Sequence, residues 1–553
     1  MVPAILDPVE PPLGFRQFQY VDLTGWQGKA DDPALAALLR AVATVAGRPA
    51  SPTAPPPPAP PPSAPSRRGL LTGGGAAVLV LGGGALAWRQ GWLGGGAAAN
   101  SIAVLPFANL SGDAAQDYFS DGLSEELRTT LSSSAQLAVA AQTSSSDDQF
   151  AKLEPRAIAA KLDVAFLLSG SVRRDANTVR IAARLIEGSS GVERWAQSFD
   201  RPGTDVLAVQ SEIATLVADA LAAKLADAGG GKARVGGTRD ARAFDAYARG
   251  RALNRLAADE KSDRAALAAF DAAIAIDPGY AAAHAERSRT LTAIANNYAK
   301  GGELKALYQQ AIDAAEQAVR LVPALPEGHG ALGFVLFNGR LDARAAEAPY
   351  RQSYERGFGN ADILAAYANF AARTGRFADA RSAIARAQRL DPLNATVFRN
   401  AGVIEFVARD FAAAAAPLKT ALALNPGISV VHAIIGDIAL LGGDAAAARA
   451  SYAREPSRLT QLRGLAIADR KLGAGEAAER HMQAMVAGFG DNSLYQQAQV
   501  RAQWGEGEAA LAALEAALAA GDSGLVQLRG DPLLDPLRSS PRFTALHDRL
   551  GFV

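Results

Sequence analysis

The sequence predicts a mixed multidomain chain. An α/β domain is followed by an all-α superhelix of repeated helices, with a small globular piece and one transmembrane helix ahead of them. Three observations carry this. Residues 101–226 alternate β-prone and helical runs. From about residue 240 the prolines Pro278, Pro323, Pro392 and Pro426 close helical units at intervals of 45, 69 and 34 residues. Residues 69–88 form 20 positions without a charge, about the length that crosses a bilayer core. A chain of 553 residues has room for three or four domains at roughly 150 residues each.

Composition excludes several chemistries. Lys+Arg and Asp+Glu both number 56, so the basic excess of a duplex-binding protein is missing, and no nucleic-acid partner is expected. Cysteine is absent, which removes disulfides, thiolate metal sites and cysteine nucleophiles. The 5 histidines form no HExxH-type pair, so no histidine-built metal site is expected. No catalytic, cofactor or metal residue is assigned.

Residues 1–46 read as a small globular piece. Apolar runs at 2–6 and 19–23 suggest strands. Asp32 before Pro33 is an N-cap with proline at the first helical position. Leu35, Leu38, Leu39, Val42 and Val45 then give a helical stripe. Two strands and a helix bury too little to stand alone. The stretch VPAILDPVEPPLGFRQFQYVDLTGW with its capped helix resembles the C-terminal end of a bacterial TIR domain. In that family the nucleotide-facing loop and catalytic glutamate lie upstream. Glu10 is in the wrong segment for that role. The resemblance therefore implies either a remnant or a native chain that starts earlier.

Residues 47–66 are a Pro-rich linker, with nine prolines among 51–65. Such a run favours stiff polyproline II, about 45 Å long at roughly 3.1 Å per residue. A Pro-motif ligand is the other reading. Residues 67–92 are expected to form the transmembrane helix. Arg67 and Arg68 precede it, Arg89 follows, and the next charge is Asp113. That asymmetry puts the N-terminus in the cytoplasm. Trp88 and Trp92 fit an interfacial belt. Ser66–Leu71 also resembles a twin-arginine export signal, but its depth in the chain favours a signal-anchor. Its glycine runs would make a poor soluble helix.

In 101–226 the reading is a buried strand at 101–107, a helix at 117–133 and a short strand at 136–140. Then come a short helix at 154–162, β-prone runs at 164–174, 178–187 and 192–200, and a closing amphipathic helix at 205–225. Asp175–Asn177 and Gly188–Gly191 have hairpin-turn chemistry. The order βαβαβββα indicates a mixed sheet with helices packed on it. The blocks SIAVLPFANLSGD, YFSDGLSEEL, FLLSGSVRR, VRIAARLI and RWAQSFDR resemble the TolB-N/FlgO-like domain that precedes helical arrays in bacterial signalling proteins. The resemblance implies an envelope or signalling architecture and no catalytic role. Relatives often carry a cyclase label through fusion to cyclase domains, and this chain shows no such domain in its sequence.

Residues 227–239 read as a linker, and 240–553 as a repeat array with a C-terminal cap. From Ala361, small or apolar positions fall at Leu364, Tyr367, Ala368, Ala371, Gly375, Phe377, Ala380, Ile384 and Ala387, closing at Pro392. The same offsets from Ala395 give Phe398, Ala401, Gly402, Phe411, Ala414, Ala421 and Pro426. This resembles the TPR family. The 45-residue interval implies an insertion near residues 293–304, and about six units are expected. Stacked hairpins bury what one cannot, and curve so that first helices line a concave face. The ending DPLLDPLRSSPRFTALHDRLGFV resembles a cap over the last apolar face.

Candidate chemistry is sparse. His284, His329 and His432 occupy equivalent repeat positions and read as packing residues. Gly229–Lys232 lacks the rest of a phosphate loop. Serines 132–134 and 144–146 lie outside a GxSxG elbow and read as turns. Arg173, Arg174, Arg180 and Arg184 alternate with apolar residues, as on the solvent face of a sheet.

The function expected is a membrane-anchored scaffold in bacterial signalling, without enzymatic activity. A protein or peptide partner would lie in the TPR groove, on Asn369, Asn400 and Asp437, polar residues of successive first helices. Self-association is a further option. The location expected is the bacterial inner membrane, single-pass, with the C-terminal domains periplasmic. The alternative is a TIR-type NAD-cleaving signalling enzyme, if the native chain is longer at its N-terminus.

Overall fold

A computed structural model describes residues 4–5, 21–22, 98–132, 137–146, 150, 153–175, 178–202, 212–213, 216, 236–256 and 259–552. The chain divides into two compact units, residues 1–93 and 94–553. In the first, β1 (Ala4–Ile5) and β2 (Val21–Asp22) pair in parallel, Ala4 opposite Val21. Both fall within the apolar runs. The expected helix that follows, the Pro-rich linker and the transmembrane segment at 67–92 lie outside the described residues. Among those described, no helix is long and apolar enough to cross a membrane.

The second unit opens with the α/β domain. Its strands are β3 (Ala98–Val104), β4 (Ala108–Asn109), β5 (Ala138–Val139), β6 (Val164–Arg174), β7 (Thr178–Glu187) and β8 (Glu193–Pro202). The sheet order is β5-β3-β6-β7-β8, with β4 pairing β6. β3 runs parallel to β5 and β6, while β6-β7-β8 is an antiparallel meander. Connection length explains the split. Helical crossovers return the chain parallel, and short turns return it antiparallel. The mixed sheet expected from the sequence is therefore present. Only residues 212, 213 and 216 of the expected closing helix are described, and all three are helical.

Pleating sorts the side chains to two faces. Ile102, Val104, Phe166, Leu168, Ile181, Leu185 and Phe199 meet Phe119, Leu123, Leu127 and Leu131 of the helix Asp117–Ser132. Ala103, Leu167 and Ile186 meet Ile158, Ala159 and Leu162 of the helix Pro155–Leu162 on the opposite face. The rest of that second face carries Arg173, Arg180 and Arg184, all exposed. Arg180 pairs with Asp200 across the strands at 2.5 Å. Arg174 points elsewhere and binds Asp245 of the first repeat helix at 3.0 Å.

Eight antiparallel helical hairpins follow among the described residues, more than the six expected. They are Ala241–Leu256/Glu260–Ile276, Ala281–Tyr298/Gly301–Leu321, Pro326–Asn338/Ala343–Arg356, Ala361–Arg373/Phe377–Leu390, Ala395–Val407/Phe411–Leu424, Val431–Leu441/Ala445–Tyr452, Arg458–Lys471/Gly475–Phe489 and Leu494–Trp504/Gly507–Ala520. Their faces are built as the small-residue pattern requires. Gly402 lets Leu418 approach so closely that a Cβ would sit 2.5 Å from Leu418 Cδ2. Tyr452 lies between Gly436 and Gly464, where added Cβ atoms would meet its ring at 2.4 and 2.3 Å. The expected insertion is helical. It lengthens both helices of the second hairpin to 18 and 21 residues, against 13 and 14 in the fourth.

The C-terminal segment folds as two 3-10 turns, Ser523–Gln527 and Pro532–Leu537, and the helix Pro541–Arg549. Leu533, Leu534, Leu537, Phe543, Leu546 and Phe552 are buried. The segment covers more than the last hairpin. It reaches back to the third, where Ala343 N donates to Leu550 O at 2.9 Å and Phe337 meets Phe552 edge-on, centroids 6.4 Å apart. It also reaches the fifth, where Arg409 pairs with Asp535 at 2.7 Å.

Candidate interaction site on the inner wall of the repeats

The α/β domain and the repeats are joined by specific polar contacts. Ser144 donates to Asp391 Oδ1 through both N (3.0 Å) and Oγ (2.5 Å), and its Oγ accepts from Leu393 N at 2.8 Å. Ala141 N donates to Leu390 O at 2.8 Å. Ser144 and Asp391 are both fully buried. A buried carboxylate is tolerated only with such donors. Arg251 binds Glu125 at 3.1 Å, and Tyr118 donates to Asp245 at 2.8 Å. The turn reading of serines 144–146 is therefore corrected at Ser144, a docking residue. Its partner lies 247 positions away, so no local signal could reveal it. The end of the expected linker is also tied down. Thr238 Oγ1 donates to Asp277 at 2.5 Å, and Gly236 O accepts from Ala282 N at 3.1 Å.

First helices of the fourth to eighth hairpins line one cavity of about 80 Å³. Arg373, Val403, Phe406, Ile434, Asp437 and Arg463 form part of its wall, and Gln527 and Asp531 of the C-terminal segment close it. Asn369 is half-buried and one helical turn from Arg373 on the same face. Asn400 is half-buried and shares a face with Val403 and Val407. Both thus lie on the inner side of the repeats, on the helices expected.

Asp437 lies there too, but as a buried residue. It is 3% exposed and accepts from Arg463 Nη2 at 2.9 and 3.0 Å and from Tyr452 Oη at 2.7 Å. Its carboxylate, expected to meet a partner in the groove, is instead committed to partners within the chain. The guanidinium that occupies it comes from a helix 26 positions on. Asp531 is similarly engaged, accepting from Tyr495 Oη at 2.7 Å and Gln499 Nε2 at 2.6 Å. Glu455 is 2% exposed and accepts from Val430 N at 2.8 Å and Ala433 N at 3.0 Å.

The guanidiniums are unevenly matched. Among the described residues the Arg399 guanidinium reaches only the Asn400 amide oxygen, at 3.3 and 3.4 Å. Among the described residues Arg373 has no hydrogen-bond or ion-pair partner. Burial, and for Arg373 the neighbouring Arg399, lower the pKa of both.

The histidines are packing residues where the repeat is regular. His284 Nε2 meets Pro278 O at 3.1 Å, and His329 Nε2 meets Pro323 O at 2.8 Å. Each ring ties a first helix to the proline that closes the preceding unit. After Pro426 the next helix starts two residues late, with Val430 at φ 78°. His432 is then buried with Nδ1 unpartnered. Gly229–Lys232 lies outside the described residues.

No family model matches the chain. A protein of Rhizobium meliloti (strain 1021) named "Putative adenylate cyclase 3" is 37% identical over 237 residues, 43% of this chain and 40% of that protein. The matched stretch thus spans less than half of the relative's length. Among solved structures, human IFIT1 bound to m7Gppp-AAAA aligns with 56% of this chain and 78% of its own at TM-score 0.37 and 13% identity. Yeast Tom70 aligns with 56% of this chain and 64% of its own at TM-score 0.35 and 12% identity. PilW, a type IV pilus biogenesis factor, aligns with 36% of this chain and 93% of its own at TM-score 0.31 and 21% identity. What the structure itself shows of the region is an array of stacked helical hairpins.

Proposed function

We propose that this chain is a protein-interaction and regulatory module of a bacterial signalling protein, anchored to the inner membrane through residues 67–92. Its partner is a protein segment rich in acidic and carbonyl acceptors. The observation that carries this reading is the set of unsatisfied donors on successive first helices. Asn369 bonds nothing among the described residues, and Arg399 reaches only its neighbour Asn400. The carboxylates around them are already committed to partners of their own. Donors held on a rigid helical wall favour an anionic or carbonyl-rich ligand.

The α/β domain, locked to the array through Ser144 and Asp391, moves with it as one body in this reading. The cyclase-named relative is consistent with a module shared between signalling proteins, since most of that protein lies outside the match. The TIR-like and TolB-N-like resemblances fit the same setting, and no enzymatic step is assigned.

The test is photo-crosslinking from positions 369 and 400 of the full chain in its own bacterium. Calorimetry with the purified partner then follows. Asn400→Asp should weaken binding about tenfold by placing a carboxylate beside Arg399, with helicity unchanged. Binding unaffected by this substitution, or no crosslinked partner, would sink the reading.

A further inference from the structure

The cavity among the first helices has a composition that a water-filled void does not need. Its lining mixes apolar side chains, Val403, Phe406 and Ile434, with the polar Arg373, Thr460 and Gln496. The Gln496 Oε1 is buried and unpartnered. An all-apolar cavity stays dry, and a small polar one fills with water. A largely apolar lining with a few polar groups is what small-molecule sites present.

The charges sharpen this. Two carboxylates line the cavity, and both are committed: Asp437 to Arg463 and Tyr452, Asp531 to Tyr495 and Gln499. Arg373 has no carboxylate in reach among the described residues. Among the described residues the cavity lining therefore includes one guanidinium without a carboxylate partner, together with apolar side chains. A guanidinium matches a carboxylate through two parallel N–H···O bonds. A volume of about 80 Å³ is roughly half that of a cavity that accepts benzene. It takes about three to five non-hydrogen atoms on that scale.

We propose that this cavity is a binding site for a short-chain monocarboxylate, such as acetate or propionate. The carboxylate sits on Arg373, and the short alkyl part lies against Phe406 and Ile434. The Gln527–Asp531 turn closes the site, so an occupied cavity ties the C-terminal segment more firmly to the inner wall. The site stands on the cavity alone and needs no protein partner.

The experiment is calorimetric titration of the full chain with acetate, propionate, octanoate, inorganic phosphate and chloride. Saturable binding of acetate or propionate is expected, with octanoate excluded by size and phosphate and chloride at least about tenfold weaker for want of an apolar part. Arg373→Met keeps the length and removes the charge, and should lower carboxylate affinity about tenfold or more. Ala433→Met fills the cavity while leaving Arg373 in place, and should also abolish binding, which keeps the test decisive if the arginine variant folds poorly. Phosphate or chloride binding as well as propionate overturns the carboxylate assignment. Propionate affinity unchanged in both variants, or no saturable heat with any anion, overturns the site.

Discussion

Asp437 and Arg463 face each other across two neighbouring first helices. Nη2 of the arginine donates to both carboxylate oxygens at 2.9 and 3.0 Å, with the side chains only 4% and 5% exposed. Burial raises the aspartate's pKa against the pull of Arg463, and the arginine's own Nε is left unpartnered. Such a pair is held by its geometry and is intolerant of losing one member. Asp437→Asn should therefore destabilise the array by about 3–5 kcal/mol, read as a lowered melting temperature. Replacing both, Asp437→Leu with Arg463→Met, should recover most of that loss. A double variant as unstable as the single one would show that the pair is more than mutual neutralisation.

Ser144 is expected to hold the α/β domain to the repeats. Ser144→Ala removes the hydroxyl bonds to Asp391 and Leu393 and leaves a buried carboxylate with fewer donors. The cost should be about 1–3 kcal/mol. Hydrogen exchange should speed up in residues 141–146 and 390–394 together, and not in the fifth hairpin. Acceleration throughout the array would mean global loss of stability rather than local undocking.

Acid should loosen the array through its histidines. Burial holds His284, His432, His481 and His547 below the ordinary value of 6.5, with the Pro278 carbonyl opposing at His284 and Asp469 at His481. Between 6.5 and the native values the unfolded chain binds more protons than the folded one. The stability these rings contribute is fully present above about pH 6.5 and is lost as pH falls through the native values. Melting temperature should be flat from about pH 8 to pH 7 and decline below about pH 6.5. His432→Leu should flatten the decline, because its buried Nδ1 lacks a partner. An unchanged slope would shift the cause to other groups.

Tyr452 should be intolerant of any added side chain above or below its ring. A Cβ at residue 464 would lie 2.3 Å from Tyr452 Cδ1. Gly464→Ala should cost about 1–3 kcal/mol through overpacking. Tyr452→Leu in the same chain should relieve the clash but lose the bond to Asp437, so the double variant should not return to the native melting temperature.

The C-terminal segment should be a structural part of the inner wall. Phe552→Ala removes the edge-on contact with Phe337 and a side chain that is 5% exposed. A loss of about 3–5 kcal/mol is expected, together with protease access to residues 541–549. Native resistance in the variant would show that the segment is held without this anchor.

Much of the fold could be read from residue order alone. The helix Pro155–Leu162 and strands β6 and β7 fall where periodicity and turn chemistry place them, because these signals act over a few residues. The repeat prolines fixed the hairpin register for the same reason. The 45-residue interval located an insertion near residues 293–304 but not its form, because a helix can lengthen without breaking its face. Two of the eight hairpins went uncounted because only four prolines mark unit ends at the expected spacing.

The sequence by itself determined the order of strands and helices, the hairpin period and the faces each helix buries. Tertiary structure alone decided which polar residues are free. It buried Asp437 beneath Arg463, gave Ser144 a partner 247 residues away, and brought the C-terminal segment back across the inner wall. Local pattern specifies what a segment is. Whether a charge is exposed or compensated depends on chain segments that meet only after folding, and no short-range signal records them.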